Sequence, residues 1–190
     1  MVVLFGAIFA TMSVIEDRHS GFLQAVLVAP GSRVSVVLGK CIGAATVALA
    51  QSVLFALLAP AAGFSLSTID WPMLLLVLSL SCFGLCALGF AVAWWLDSTA
   101  GYHVVMSVAL LPMWILSGAM FPAPKLGWIA WVQRCNPMSY SVSAVRRALY
   151  AGRLPDGTTV VSSGSIELAV LLCFGALAAA LSVHVCYRRR

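Results

Sequence analysis

The sequence predicts an all-α integral membrane protein, and three observations carry that prediction. Only 9% of the 190 residues are charged, 62% are hydrophobic and the mean hydropathy is +1.04. A soluble domain carries ~25% charged residues to cover its water-facing surface. The apolar residues also fall in long runs, several near the ~20 residues that cross a hydrocarbon core of ~30 Å. Finally, the runs are continuous. Strands of a membrane barrel alternate apolar and polar over roughly ten residues, and in lipid only helices and closed barrels satisfy the backbone within the chain.

Five candidate spans follow in order. The first, about 1–15, is MVVLFGAIFATMSVI; it is short, and no positively charged region precedes it as in a signal peptide. The second, about 34–58, stops at Pro60 and Gly63. The third covers about 71–96. The fourth, about 102–120, contains Pro112, read as a static kink. The fifth covers about 166–187. Between the fourth and fifth lies a segment with Trp128 and Trp131, which suit a membrane interface. A helical stretch follows Asn136-Pro137, with Tyr140, Ala144 and Arg147 along it, and Pro155-Asp156-Gly157 marks a turn.

Charge gathers in one unexpected place. EDRHSGFLQAVLVAPGSR, residues 16–33, sits between two apolar runs. Ser20 is placed to cap a helix, with Glu16 and Asp17 near its positive end. Phe22, Leu23, Val26 and Leu27 then share one face, Pro30-Gly31 ends the helix, and Ser32 starts the next. At ~1.5 Å per residue, about 20–29 reaches only half-way across a bilayer. The expectation is a short amphipathic helix at the membrane surface, which either floats on lipid or docks another protein. Helices that lie on lipid carry Lys and Arg on the polar face; here that face has Gln24 and no basic residue, which favours docking.

Five spans put the termini on opposite sides. Arg188, Arg189 and Arg190 argue for a cytoplasmic C-terminus, resting on anionic headgroups. Arg18, Arg33 and Lys40 then lie inside with them, and Lys125, Arg134, Arg146, Arg147 and Arg153 outside. That balance is too even to set the orientation. The net charge of +5 is spread along the chain, with no basic stripe for nucleic acid.

Other residues carry weaker signals. Gly39 and Gly43 form a GxxxG, a pattern that lets helices approach closely. Cys41, Cys82, Cys86, Cys173 and Cys186 lie in apolar runs and read as packing residues. Cys135 lies in a more polar segment, and no CxxC spacing points to a metal. Asp97 with Ser98 reads as a cap or a water-facing group. Glu167 either caps the fifth span or pairs with an outer arginine, with the cap favoured. His103 and His184 lie near span ends. No span centre carries an ionisable group, which argues against a proton-coupled carrier. Neither Ser117-Gly118 nor Ser163-Gly164 belongs to a GxSG motif, so serine proteolysis is disfavoured and no catalytic residue is assigned. No GxxxxGK[ST] is present to cradle nucleotide phosphates.

Two ordered motifs resemble those of ABC-2 type transporter permeases. One is Glu16-Asp17-Arg18-His19-Ser20-Gly21-Phe22-Leu23, then Leu27-Val28-Ala29-Pro30, Arg33 and Leu38-Gly39-Lys40. The other is Leu116-Ser117-Gly118-Ala119-Met120-Phe121-Pro122, then Asn136-Pro137-Met138-Ser139-Tyr140 and Arg146. The resemblance implies a dimerising permease subunit, homo- or heterodimeric, in the cell membrane. It exports a drug, lipid or polysaccharide and pairs with a separate ATP-binding cassette ATPase subunit that holds ATP and Mg. It implies that the short helix is a cytoplasmic coupling helix docking that ATPase through Glu16, Asp17, Arg18, Gly21, Phe22, Leu23, Val26, Leu27, Pro30 and Arg33. It makes about 121–150 an outer re-entrant segment, with Ser117, Gly118, Pro122, Asn136, Pro137, Tyr140 and Arg146 at an outer gate. The family pattern has six spans, so the resemblance also implies an N-terminally truncated start. A non-ATP-coupled carrier or a structural membrane subunit is the alternative.

Overall fold

Helix formation follows the apolar runs closely. In the computed structural model the described residues are 1–21, 32–96, 98–120, 128–150 and 162–188, and no strand occurs among them. Helix α1 spans Val2–His19, α2 Arg33–Ala56, α3 Trp71–Trp95, α4 Thr99–Ile115, α5 Trp128–Cys135, α6 Pro137–Leu149 and α7 Gly164–Arg188. Two 3-10 turns, Ala59–Ala62 and Leu66–Thr68, lie between α2 and α3.

Several helix starts are marked by side chains that accept from otherwise unpaired N–H groups. Ser32 Oγ accepts from Ser35 N–H at 3.1 Å, and Asp70 Oδ1 from Met73 N–H at 3.2 Å. Asn136 Oδ1 accepts from Met138 N–H at 2.9 Å. Pro72 and Pro137 sit in the first turns of α3 and α6, where a missing N–H costs nothing.

By length and composition, α2, α3 and α7 are long and apolar enough to cross a membrane. Helix α4 is apolar but has 17 residues, or about 25 Å, short of a ~30 Å core. It stops at Ile115 rather than near 120 because Ser117 N–H turns back to Trp114 O and Gly118 adopts φ +78°. Helix α1 runs past residue 15 to His19. Its last turn therefore carries Glu16, Asp17 and Arg18, whose backbones continue the helix until Gly21 breaks it at φ +77°.

Helix α3 forms the centre of the bundle: 61% of its membrane-length window is buried, against 22% for the window starting at Arg33 and 28% for α7. Its glycines allow close crossings. A Cβ on Gly84 would lie 2.7 Å from the Phe174 ring and 3.5 Å from Gly175 Cα. A Cβ on Gly89 would lie 2.6 Å from Thr11 Oγ1 and 3.0 Å from Tyr102 Oη. Those two hydroxyls hydrogen-bond to each other at 2.5 Å, joining α1 to α4 across α3. Ser182 Oγ donates to Ala87 O at 2.6 Å, joining α7 to α3. Leu4, Ile15, Val37, Leu85, Phe90 and Met106 fill the space between.

Gly39 and Gly43 make no such crossing. Both are exposed, and a Cβ on either would meet nothing within 4 Å. The α2 face toward the bundle is instead built on Val37, Cys41, Ala45 and Ala48, four residues apart or nearly so, which turns the two glycines outward.

Candidate functional site

The two motifs fall at opposite ends of the bundle. At one end α1 closes beside the start of α2 and the C-termini of α3 and α7. Ser20 N–H bonds Glu16 O at 2.9 Å, and Ser20 Oγ donates to Asp17 O at 3.1 Å. Ser20 thus closes α1, where it was expected to open a new helix. Glu16 and Asp17 accordingly sit at the negative end of the α1 dipole, which disfavours them. Lys40 of α2 compensates Asp17 with an ion pair, both side chains about a quarter exposed.

Arg18 and Arg33 both reach to distant helix ends. Arg18 Nη2 donates to Trp94 O at 2.8 Å and Nη1 to Leu96 O at 3.4 Å, with its guanidinium carbon 5.2 Å from the Trp94 ring centroid. Arg33 Nη1 donates to Cys186 O at 3.1 Å and lies 5.7 Å from the Tyr187 ring centroid. Gly21 ends the described part of this stretch. Phe22, Leu23, Val26, Leu27 and Pro30 lie outside the described residues, as does most of the expected 20–29 helix.

At the other end the second motif comes together around α6. Asn136 caps α6 with its oxygen, while its Nδ2 donates to Met113 O at 2.5 Å. That carbonyl lies in the last turn of α4, where Ser117 N–H has turned to Trp114 O, so one side chain serves two helix ends. Arg146 Nη2 donates to Gly118 O at 2.8 Å, which the positive φ of Gly118 helps present. Tyr140 Oη donates to Arg134 O at 2.7 Å and ties α6 to the end of α5. Pro137 is the first residue of α6. Ser117 Oγ donates to Trp114 O at 2.5 Å. Pro122 lies outside the described residues.

A polar cluster on α6 takes up the less favoured of the two sequence readings of Glu167, pairing with an outer arginine, and adds Ser143 to it. Glu167 of α7 is 0% exposed. Ser143 Oγ donates to it at 2.5 Å, and Arg147 Nε lies 3.4 Å from its other oxygen. Arg147 also donates to Ser162 O at 2.9 Å. The favoured cap at Glu167 thus gives way to the ion pair, because burial demands a charged partner for a carboxylate. The available signal was spacing: Ser143 and Arg147 are four apart and share a helix face. Ser81 and Ser141 hydroxyls meet at 2.8 Å, and Asp70 N–H bonds Ala148 O at 2.9 Å. These polar contacts join α6 to α3, α4, α5 and α7, beside apolar packing of Ala144 on Val77 and Leu171 and of Ala148 on Leu74 and Leu78. His103, by contrast, packs on Phe9 and Tyr102, with Nε2 3.2 Å from Met12 Sδ.

This arrangement satisfies helix-end carbonyls and a buried carboxylate with side chains from other helices. Comparison with known proteins adds one finding: the family described as ABC-2 type transporter matches residues 1–150. None of the curated proteins matches the chain.

Proposed function

Since the chain belongs to the ABC-2 type transporter family, the permease component of ABC-type transporters, we propose that it exports a drug, lipid or polysaccharide using ATP hydrolysed on a separate subunit. The family match over residues 1–150 carries this reading. The reading is supported by residues 1–190 holding no phosphate-cradling GxxxxGK[ST], so the proposal assigns ATP binding to a separate subunit. ATP and Mg bind that partner.

In the proposed arrangement α1 and α4 join α2, α3 and α7 as five spans of a multi-pass cell-membrane protein. Residues 16–33 face the cytoplasm and offer the coupling helix, about 20–29, to the ATP-binding subunit. About 121–150 folds back at the outer face, where α6 closes the pathway. Two permease subunits form the working dimer. Docking shifts the inward and outward states because the ATP-binding subunit contacts the coupling segment differently in each.

Co-expression with an ATP-binding cassette subunit from the same genome tests the reading. The two should co-purify, and inside-out vesicles holding both should accumulate a fluorescent drug or lipid in a vanadate-sensitive manner. Failure to co-purify, with uptake unaffected by ATP removal, would replace it with a carrier that is not coupled to ATP.

A further inference from the structure

We propose that Arg18 and Arg33 transmit movement of the charged 16–33 stretch to α3 and α7, a role that rests on the permease reading above. The same arrangement occurs twice. Arg18, on the flank before the stretch, donates to Trp94 O and Leu96 O and lies over the Trp94 ring. Arg33, on the flank after it, donates to Cys186 O and lies against the Tyr187 ring. In each case an arginine bonds carbonyl oxygen at the end of a long helix far away in sequence, two oxygens for Arg18 and one for Arg33, and lies against an aromatic ring there.

The chemistry suits a firm link. The last four carbonyls of a helix have no donors within it, and a cation there meets the negative end of the dipole. Leu96 leaves the helix with extended backbone, which frees its carbonyl and that of Trp94 for Arg18. The Arg18 guanidinium bonds two carbonyls and lies over a ring at once, a geometry that an ammonium cannot reproduce. The Asp17–Lys40 pair braces the two flanks to each other.

Both clamped helices then run to the opposite end. They cross closely at Gly84 and Gly175, so they move together. There α3 meets α6 through the Asp70 N–H to Ala148 O bond, and α7 meets it through Glu167 with Ser143 and Arg147. Rigid helices carry a displacement over such lengths. Two arginines thus give the charged stretch a grip on helices other than its own neighbours α1 and α2.

The test uses the full chain with its co-expressed ATP-binding subunit in nanodiscs. Spin labels on ketone-bearing residues at 120 and 165, both exposed, leave the native cysteines untouched. ATP with vanadate should change the label distance in the parent. In R18Q/R33Q that change should vanish, and in W94L/Y187L, at two residues outside the docking set, it should shrink while subunit affinity and ATP hydrolysis stay within about twofold of the parent. A simple stability role would lower all three together. A full distance change in R18Q/R33Q, or none in the parent, overturns the proposal. Should R18Q/R33Q insert poorly, W94L/Y187L removes the rings and keeps the carbonyls; it should shrink the change, and full amplitude there also overturns the proposal. If the parent binds no ATP-binding subunit, the permease reading itself falls, and the transmission role with it.

Discussion

Glu167 and Arg147 form an ion pair, 3.4 Å apart, in which the carboxylate is fully buried and the guanidinium side chain is 28% exposed. The pair joins the first turn of α7 to α6, with Ser143 completing the shell of the acid. Removing one partner of a buried pair costs more than the pair contributes, because the other charge stays in low dielectric. Arg147→Ala should therefore cost about 2–3 kcal/mol, at or below the low end for buried pairs because water reaches the guanidinium. Glu167→Gln keeps an acceptor for Ser143 and should cost about 1 kcal/mol. Thermal unfolding in detergent ranks them, and equal losses would contradict the burial argument.

Asn136 does two jobs that substitution separates. Asn136→Asp keeps the acceptor that caps α6 but places an oxygen against the Met113 carbonyl in place of Nδ2. Asn136→Ala loses both functions, including a cap of about 1 kcal/mol. Both variants should express and insert yet export poorly, as should Tyr140→Ala. Normal vesicle transport by Asn136→Asp would show that only the cap matters.

The glycines divide into two classes. Gly84→Val must push Phe174 out of its place and separate α3 from α7, costing about 1–3 kcal/mol by overpacking. Gly39→Ala and Gly43→Ala meet open space and should stay within about 0.5 kcal/mol in the monomer's own stability. Unfolding of all three variants in one detergent compares them directly. A large loss at Gly39 would mean that the α2 face is covered in the working assembly.

The proposed docking is assigned to Phe22, Leu23, Val26 and Leu27 from the sequence pattern alone. Phe22→Asp and Leu27→Asp should each abolish association with the ATP-binding subunit while leaving membrane insertion intact, read by pull-down and membrane fractionation. Unchanged binding by both variants would remove the docking role.

Much of the helix pattern was legible because long apolar runs and capping residues act locally. The runs that became α2, α3 and α7 were bounded within two residues or so. Asn136-Pro137 was readable as a helix start for the same reason. Ser20 closes α1 because that helix runs on to His19 rather than ending at residue 15, and the helix expected after it lies outside the described residues. Gly39 and Gly43 show the opposite limit: the spacing was plain, but which helix face turns inward depends on all the neighbours.

The sequence by itself determined an all-helical membrane protein, its long apolar helices and the two motifs that mark its family, since composition and periodicity suffice for those. The tertiary structure alone decided the partners: Arg18 with the end of α3, Arg33 with the end of α7, Asn136 with Met113, and Glu167 with Arg147 and Ser143. The physical reason is that helix-end carbonyls and a buried carboxylate must be satisfied by whatever donor the packing brings near. Packing joins residues as much as 153 positions apart, a relation that no local pattern encodes.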